Sequence, residues 1–162
     1  MLKLLPSLRL ELHARQHAEP RRAAAWRWCE RWISEITADF WSVARLGIGA
    51  TLGLMAVLSL PSPFVFRLAS DDPHPMPWLR VKMSCAFGAA LYPHPQWRAL
   101  AEVWGAMYPC AGVGHEVREV VASCQELLPE LAALLIGHRP PSLRGRTLGE
   151  VLSSEALHAG RL

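Results

Sequence analysis

Proline cuts this chain into short pieces, and every piece between the cuts reads as helix. Most of the 13 prolines gather in clusters, at Pro61 and Pro63, at Pro73, Pro75 and Pro77, at Pro93 and Pro95, and at Pro140 and Pro141. Proline has no amide hydrogen to give a helix interior or a central strand, so each cluster ends one element or opens the next. No stretch between the clusters alternates polar and apolar residues as a half-buried strand does. The expected fold is all-α, with roughly five to seven helices, one long apolar helix and no sheet.

The breaks set an expected element map. A first helix should run from about Ser7 to Ala18, and Arg21 to about Leu60 reads as one long helix or two. Asp71 and Asp72 stand where caps would for a helix from near Pro75 to about Leu91. Further helices are expected from about Gln96 to Met107 and from Glu116 to Ile136, with Pro129 a kink point in the second. Thr147 and Glu150 have capping-box spacing for a last short helix reaching Leu157. Residues 1–162 form a single helical region: an N-terminal helix in 1–20, a helical core over 21–136, and a tail over 137–162.

Composition narrows the function classes. Hydrophobic residues make up 51% of the chain and charged ones 19%, which suits the buried part of something larger or a membrane-associated protein. Leu46 to Leu60 carries no charge over 15 residues, short of the ~20 a spanning helix needs. It is expected to be a buried core helix, with membrane contact through residues 46–60 as the alternative. Gly49 and Gly53 within it form a GxxxG pair that lets another backbone approach closely. The net charge of +3 is mild and the arginines are dispersed, so nucleic acid is excluded as a partner. Seven tryptophans lie between Trp26 and Trp104; Trp28 and Trp32 are one turn apart, as in a core stripe. Cys29, Cys85, Cys110 and Cys124 form no CxxC pair and are expected to stay reduced. Arg9, Glu11 and Arg15 interrupt any signal-peptide core. A cytoplasmic location is the default, membrane association the alternative.

The chemistry-bearing residues begin with Glu35 and Asp39, in the run Trp32-Ile-Ser-Glu-Ile-Thr-Ala-Asp-Phe40. Four residues apart, both carboxylates share one helix face. Acids in an apolar setting need a partner: a metal, an arginine, or each other with a proton between them. Arg31 and Arg80 are the candidate arginines. Ingredients for Ser/His/Asp catalysis exist, but no nucleophile-elbow pattern does. No glycine-rich phosphate loop follows a strand.

The ExxAD element at Glu35 to Asp39 resembles the third-ligand helix of gluzincin zinc metallopeptidases, most closely the CAAX prenyl protease and heat-shock protease group. A second element agrees in order and context: His74-Pro-Met-Pro-Trp-Leu-Arg80 has the form HPxxxxR. The resemblance implies that Glu35 is a zinc ligand, that Asp39 orients a histidine ligand from behind, and that His74 and Arg80 approach the active site. The segment from Trp32 to Pro109, with the tail His138 to Arg146, looks like uncharacterised bacterial proteins of this type.

The HExxH helix of that family, which supplies two zinc ligands and the water-activating glutamate, is missing. Its nearest substitute is His13-Ala-Arg-Gln-His17. That run keeps the two-histidine spacing but has Ala14 where the base should be. A degenerate zinc site from His13, His17 and Glu35 is one alternative; two solvated histidines are the other. His115-Glu-Val-Arg-Glu119 ends in the wrong residue. The expectation is the C-terminal part of a larger metallopeptidase-like protein, catalytically incompetent as given, whose partner is a missing N-terminal part or another protein. The competing expectation is a non-enzymatic helical interaction module.

Overall fold

The computed structural model describes residues 4–152. Nine α-helices and three 3-10 turns make up this region, and no strand occurs among the described residues. The all-α class holds, with more helices than the prolines alone mark out. In chain order they are α1 (Leu4–Ala18), α2 (Ala23–Arg31), α3 (Ile33–Leu46), α4 (Ile48–Leu58), α5 (Ser62–Val65), α6 (Pro77–Leu91), α7 (Gln96–Met107), α8 (His115–Gly137) and α9 (Leu148–Leu152).

The extra breaks have local causes. The stretch from Arg21 to Leu60 is three helices, preceded by a 3-10 turn at Pro20–Arg22. Trp32 interrupts it with φ −89° and ψ 3°, off the helical backbone. Gly47 interrupts it again at φ +57° and ψ −136°, a region that only glycine enters without strain. Helix α1 begins at Leu4, before Pro6, because a proline in the first turn removes an amide that has no helical acceptor anyway. Pro129 lies inside the continuous helix α8. The capping box at the start of α9 forms as its spacing predicts: the Glu150 N–H donates to Thr147 Oγ1 at 3.1 Å, and the Thr147 N–H donates to Glu150 Oε2 at 2.6 Å. The expected extension of that helix to Leu157 lies outside the described residues.

Helix α6 is the hub, packing against α3, α4, α7 and α8. It buries Trp78, Leu79, Val81, Met83, Phe87 and Gly88. Helix α8, the long apolar helix of the fold, packs on α2, α6 and α9 and buries Leu127, Leu131 and Leu135. It is the one described helix long and apolar enough to cross a membrane by length and composition. Trp26, Trp32, Trp78, Trp97 and Trp104 are core residues and Trp28 packs partly against them, so the core reading holds for these, but Trp41 is 45% exposed. Cys29, Cys85 and Cys124 are buried free thiols. Burial pushes Cys85 up to about 11 and Cys124 up to about 12, which keeps both protonated and unreactive.

Helix α4 corrects an expectation. An uncharged run of this kind predicts a buried core helix, yet Thr51 is its only buried residue. That side chain hydrogen-bonds Ser84 Oγ on α6 at 2.7 Å. Ile48, Leu54, Met55 and Leu58 pack partly against the core. The rest of the helix faces outward, with Leu52 at 48% and Val57 at 74% exposure. The cause is contact through a single seam: α4 meets only α3 and α6 among its larger packing partners.

Candidate functional site

The four residues named by the two motifs meet at one place. Glu35 sits in the first turn of α3, where the helix dipole favours a carboxylate. Asp39 follows one turn later. Arg80 reaches across from the first turn of α6. Its Nε donates to Asp39 Oδ2 at 2.6 Å, and its Nη2 donates to Asp39 Oδ1 at 2.9 Å and to Glu35 Oε2 at 3.0 Å. The guanidinium therefore binds Asp39 through both oxygens and extends to the second acid, a geometry a lysine could not reproduce. The Asp39 carboxylate first, and Glu35 with it, raises Arg80 above its ordinary value, while partial burial opposes them. Of the two candidate arginines Arg80 is the partner; Arg31 lies instead over the Trp28 ring at 5.4 Å.

His74 completes the cluster from the loop before α6. Its Nε2 lies 4.0 Å from Glu35 Oε1. Asp72 fixes the loop: Oδ1 accepts the His74 backbone N–H at 2.9 Å and contacts the ring Nδ1 at 2.8 Å, and Oδ2 accepts from Arg67 at 2.9 Å. Its position in the sequence predicts a cap for the next helix. Instead α6 starts at Pro77 with no side-chain cap, and Asp72 folds the His-Pro loop against its own backbone. The His74 ring is turned towards Glu35 and does not cap the helix. The His74 backbone amide, then its ring and Arg67, hold the Asp72 carboxyl below its ordinary range.

Two grooves open beside this cluster and share Arg80. One, about 440 Å³, is lined by Asp39, Ser42, Leu46, Gly49, Gly53 and Val57 among others. A Cβ added at Gly49 or Gly53 would meet nothing within 4 Å, so the GxxxG face is open. The break at Gly47 interrupts the helix, yet this face still continues the Asp39 and Ser42 side of α3. The other groove, about 280 Å³, runs between Leu60, Phe64, Arg67, Asp72 and His74.

His13 and His17 are a pair by themselves. Their Nε2 atoms lie 3.2 Å apart on the exposed side of α1. Among the described residues no group of three or more His, Cys, Asp or Glu side chains is placed to hold a metal, so these two histidines do not join Glu35 in one. Reasoning from sequence missed a further constellation: Ser7 and Glu11 on α1 both contact the His138 ring. Ser7 and Glu11 share a helix face, but His138 lies 131 residues beyond Ser7, and no local pattern announces it.

No protein-family model, curated protein or solved structure matches this chain.

Proposed function

We propose that this chain is the glutamate-bearing half of a zinc-metallopeptidase-like site and has no peptidase activity through these residues alone. One observation carries the reading. Glu35, Asp39, His74 and Arg80, the positions the ExxAD and HPxxxxR resemblance names, converge where two open grooves share Arg80, the three charged residues hydrogen-bonded and His74 4.0 Å from Glu35. The resident residues do not fit a zinc ion by themselves. Zinc sites of this kind take three protein ligands. Here Glu35 offers one carboxylate with the His74 imidazole 4.0 Å away, while Arg80 occupies both oxygens of Asp39. Arg80 supplies the positive charge the two acids need. The remaining ligands would come from an N-terminal part or a partner protein bound over the grooves.

Zinc titration followed by calorimetry tests this. The expected result is no tight one-to-one binding and no cleavage of a denatured-protein substrate. One-to-one binding lost in His13→Ala or His17→Ala would overturn the reading in favour of the degenerate site.

A second reading, a helical interaction module, is favoured by the outer face of α4 and the end of α3. Leu46, Gly49, Leu52, Gly53, Ala56 and Val57 are exposed there without a charged residue among them. A helix that is apolar all round is ordinarily covered, by protein or by lipid. Val57→Asp should leave stability within about 0.5 kcal/mol of wild type, because the side chain is outside the core. It should also abolish association with partner protein or with lipid vesicles. A wild-type chain that elutes as a clean monomer without detergent and ignores vesicles sinks this reading.

A further inference from the structure

Ser7, His138 and Glu11 form a hydrogen-bonded chain that neither motif touches. Ser7 Oγ lies 2.9 Å from His138 Nε2, and His138 Nδ1 lies 2.8 Å from Glu11 Oε2. Both distances fall in the range needed for proton transfer between a nucleophile, its base and the group that orients the base. The scaffold holds each member. Ser7 and Glu11 stand one turn apart on α1. His138 follows the last residue of α8, and its carbonyl accepts the Leu148 N–H at 2.9 Å. The His138 residue is 7% exposed while Ser7 is only partly buried.

The tautomer is set by the partners. A carboxylate accepts, so Glu11 draws the ring hydrogen to Nδ1 and leaves a lone pair on Nε2 facing the Ser7 hydroxyl. The single Ser7 hydroxyl hydrogen has a competing acceptor in the Leu4 carbonyl, also at 2.9 Å, so it is donated to only one of the two at a time. Of the two, only the imidazole can take the proton. None of the three lines the apolar pocket of about 190 Å³ formed by Leu4, Phe40, Trp41, Leu143, Leu148 and Leu152 among others, but that pocket shares two of their hydrogen-bond partners. Leu4 accepts from Ser7, and Leu148 donates to the His138 carbonyl.

We propose that Ser7 is an acylatable nucleophile, with His138 as its base and Glu11 as the positioning residue, and that it takes small neutral esters. Ser7 Oγ bonds to the ester carbonyl carbon as its proton passes to His138 Nε2. The carbon–alkoxide bond breaks, and the leaving alcohol takes that proton. Water then attacks the acyl-serine, gives its proton to His138, and releases the acid with Ser7 restored. Ester and water become alcohol and acid, and no other reactant is required.

The test is a fluorophosphonate probe on the folded chain, with the adduct mapped by mass spectrometry. The expected result is one adduct at Ser7, absent in Ser7→Ala and slowed roughly 100-fold in His138→Gln. Glu11→Gln should slow labelling and change its pH profile, and Glu11→Asp should restore part of the rate; a purely structural role would move neither. Labelling of wild type does not depend on whether any variant folds. A wild-type chain, folded by circular dichroism, that takes no adduct or takes it at another hydroxyl overturns the proposal and leaves the trio as a clamp between α1 and α8.

Discussion

Arg80→Ala will destabilise the fold by about 3 kcal/mol, the low end of the cost of removing one partner from a buried ion pair. The low end is appropriate because the cluster sits at a groove rim. Asp39 is 12% exposed in its side chain, Arg80 19% and Glu35 28%. Removing the guanidinium leaves two carboxylates one turn apart, largely out of water, with the charge that held them gone. The penalty arises from those stranded acids more than from the lost attraction. Urea unfolding should therefore show a lower midpoint with an unchanged slope. Arg80→Lys should recover only part of the loss, since an ammonium cannot bind both oxygens of Asp39 and reach Glu35 as well. Asp39→Asn introduced into Arg80→Ala should restore stability, giving a coupling of more than about 1 kcal/mol in the double-mutant cycle. A loss below about 1 kcal/mol for Arg80→Ala would mean that the cluster is solvated and the acids need no partner.

The pairing of these residues was legible because it rests on local rules. Four-residue spacing puts Glu35 and Asp39 on one helix face whatever the fold, and an apolar surrounding demands a counter-charge for them. What the local rules leave open is direction. The uncharged run around α4 has the same composition whether a core, a bilayer or solvent lies beside it, so its exposure could not be read from periodicity. Asp72 illustrates a competition: aspartate before a helix is a good cap, but proline fixes the backbone of the following loop, and the nearest free amide is that of His74. The break at Gly47 depends on one residue adopting positive φ, and nothing distinguishes that glycine from Gly49 or Gly53 in the sequence. The Ser7, Glu11 and His138 trio is invisible for a different reason. It is assembled by the packing of α1 against the segment after α8, and a contact across 131 residues leaves no mark on the spacing of either partner.

Gly88→Ala tests the hub itself, and it should cost about 2 kcal/mol net even though alanine is the better helix former. A Cβ at Gly88 would lie 2.4 Å from Cζ3 of Trp97 and 2.5 Å from two neighbouring ring atoms. The ring has nowhere to go. Trp97 is 2% exposed, and its Nε1–H donates to the Tyr92 carbonyl at 2.8 Å. Tyr92 is held in turn, its hydroxyl donating to the Ala44 carbonyl on α3 at 2.6 Å. The clash must therefore be relieved by parting α6 from α7, at the upper end of the ~1–3 kcal/mol that overpacking costs. The gain of about 1 kcal/mol in helix propensity offsets only part of it. At ~2–4 °C per kcal/mol for a chain of this size, the net loss of about 2 kcal/mol should lower Tm by roughly 4–8 °C. Gly88→Ala combined with Trp97→Leu should be less destabilised than the sum of the single changes, because the smaller side chain leaves room for the new methyl. If Gly88→Ala melts at or above the wild-type temperature, helix propensity has won, and the close crossing of α6 and α7 at Trp97 is not what fixes the hub.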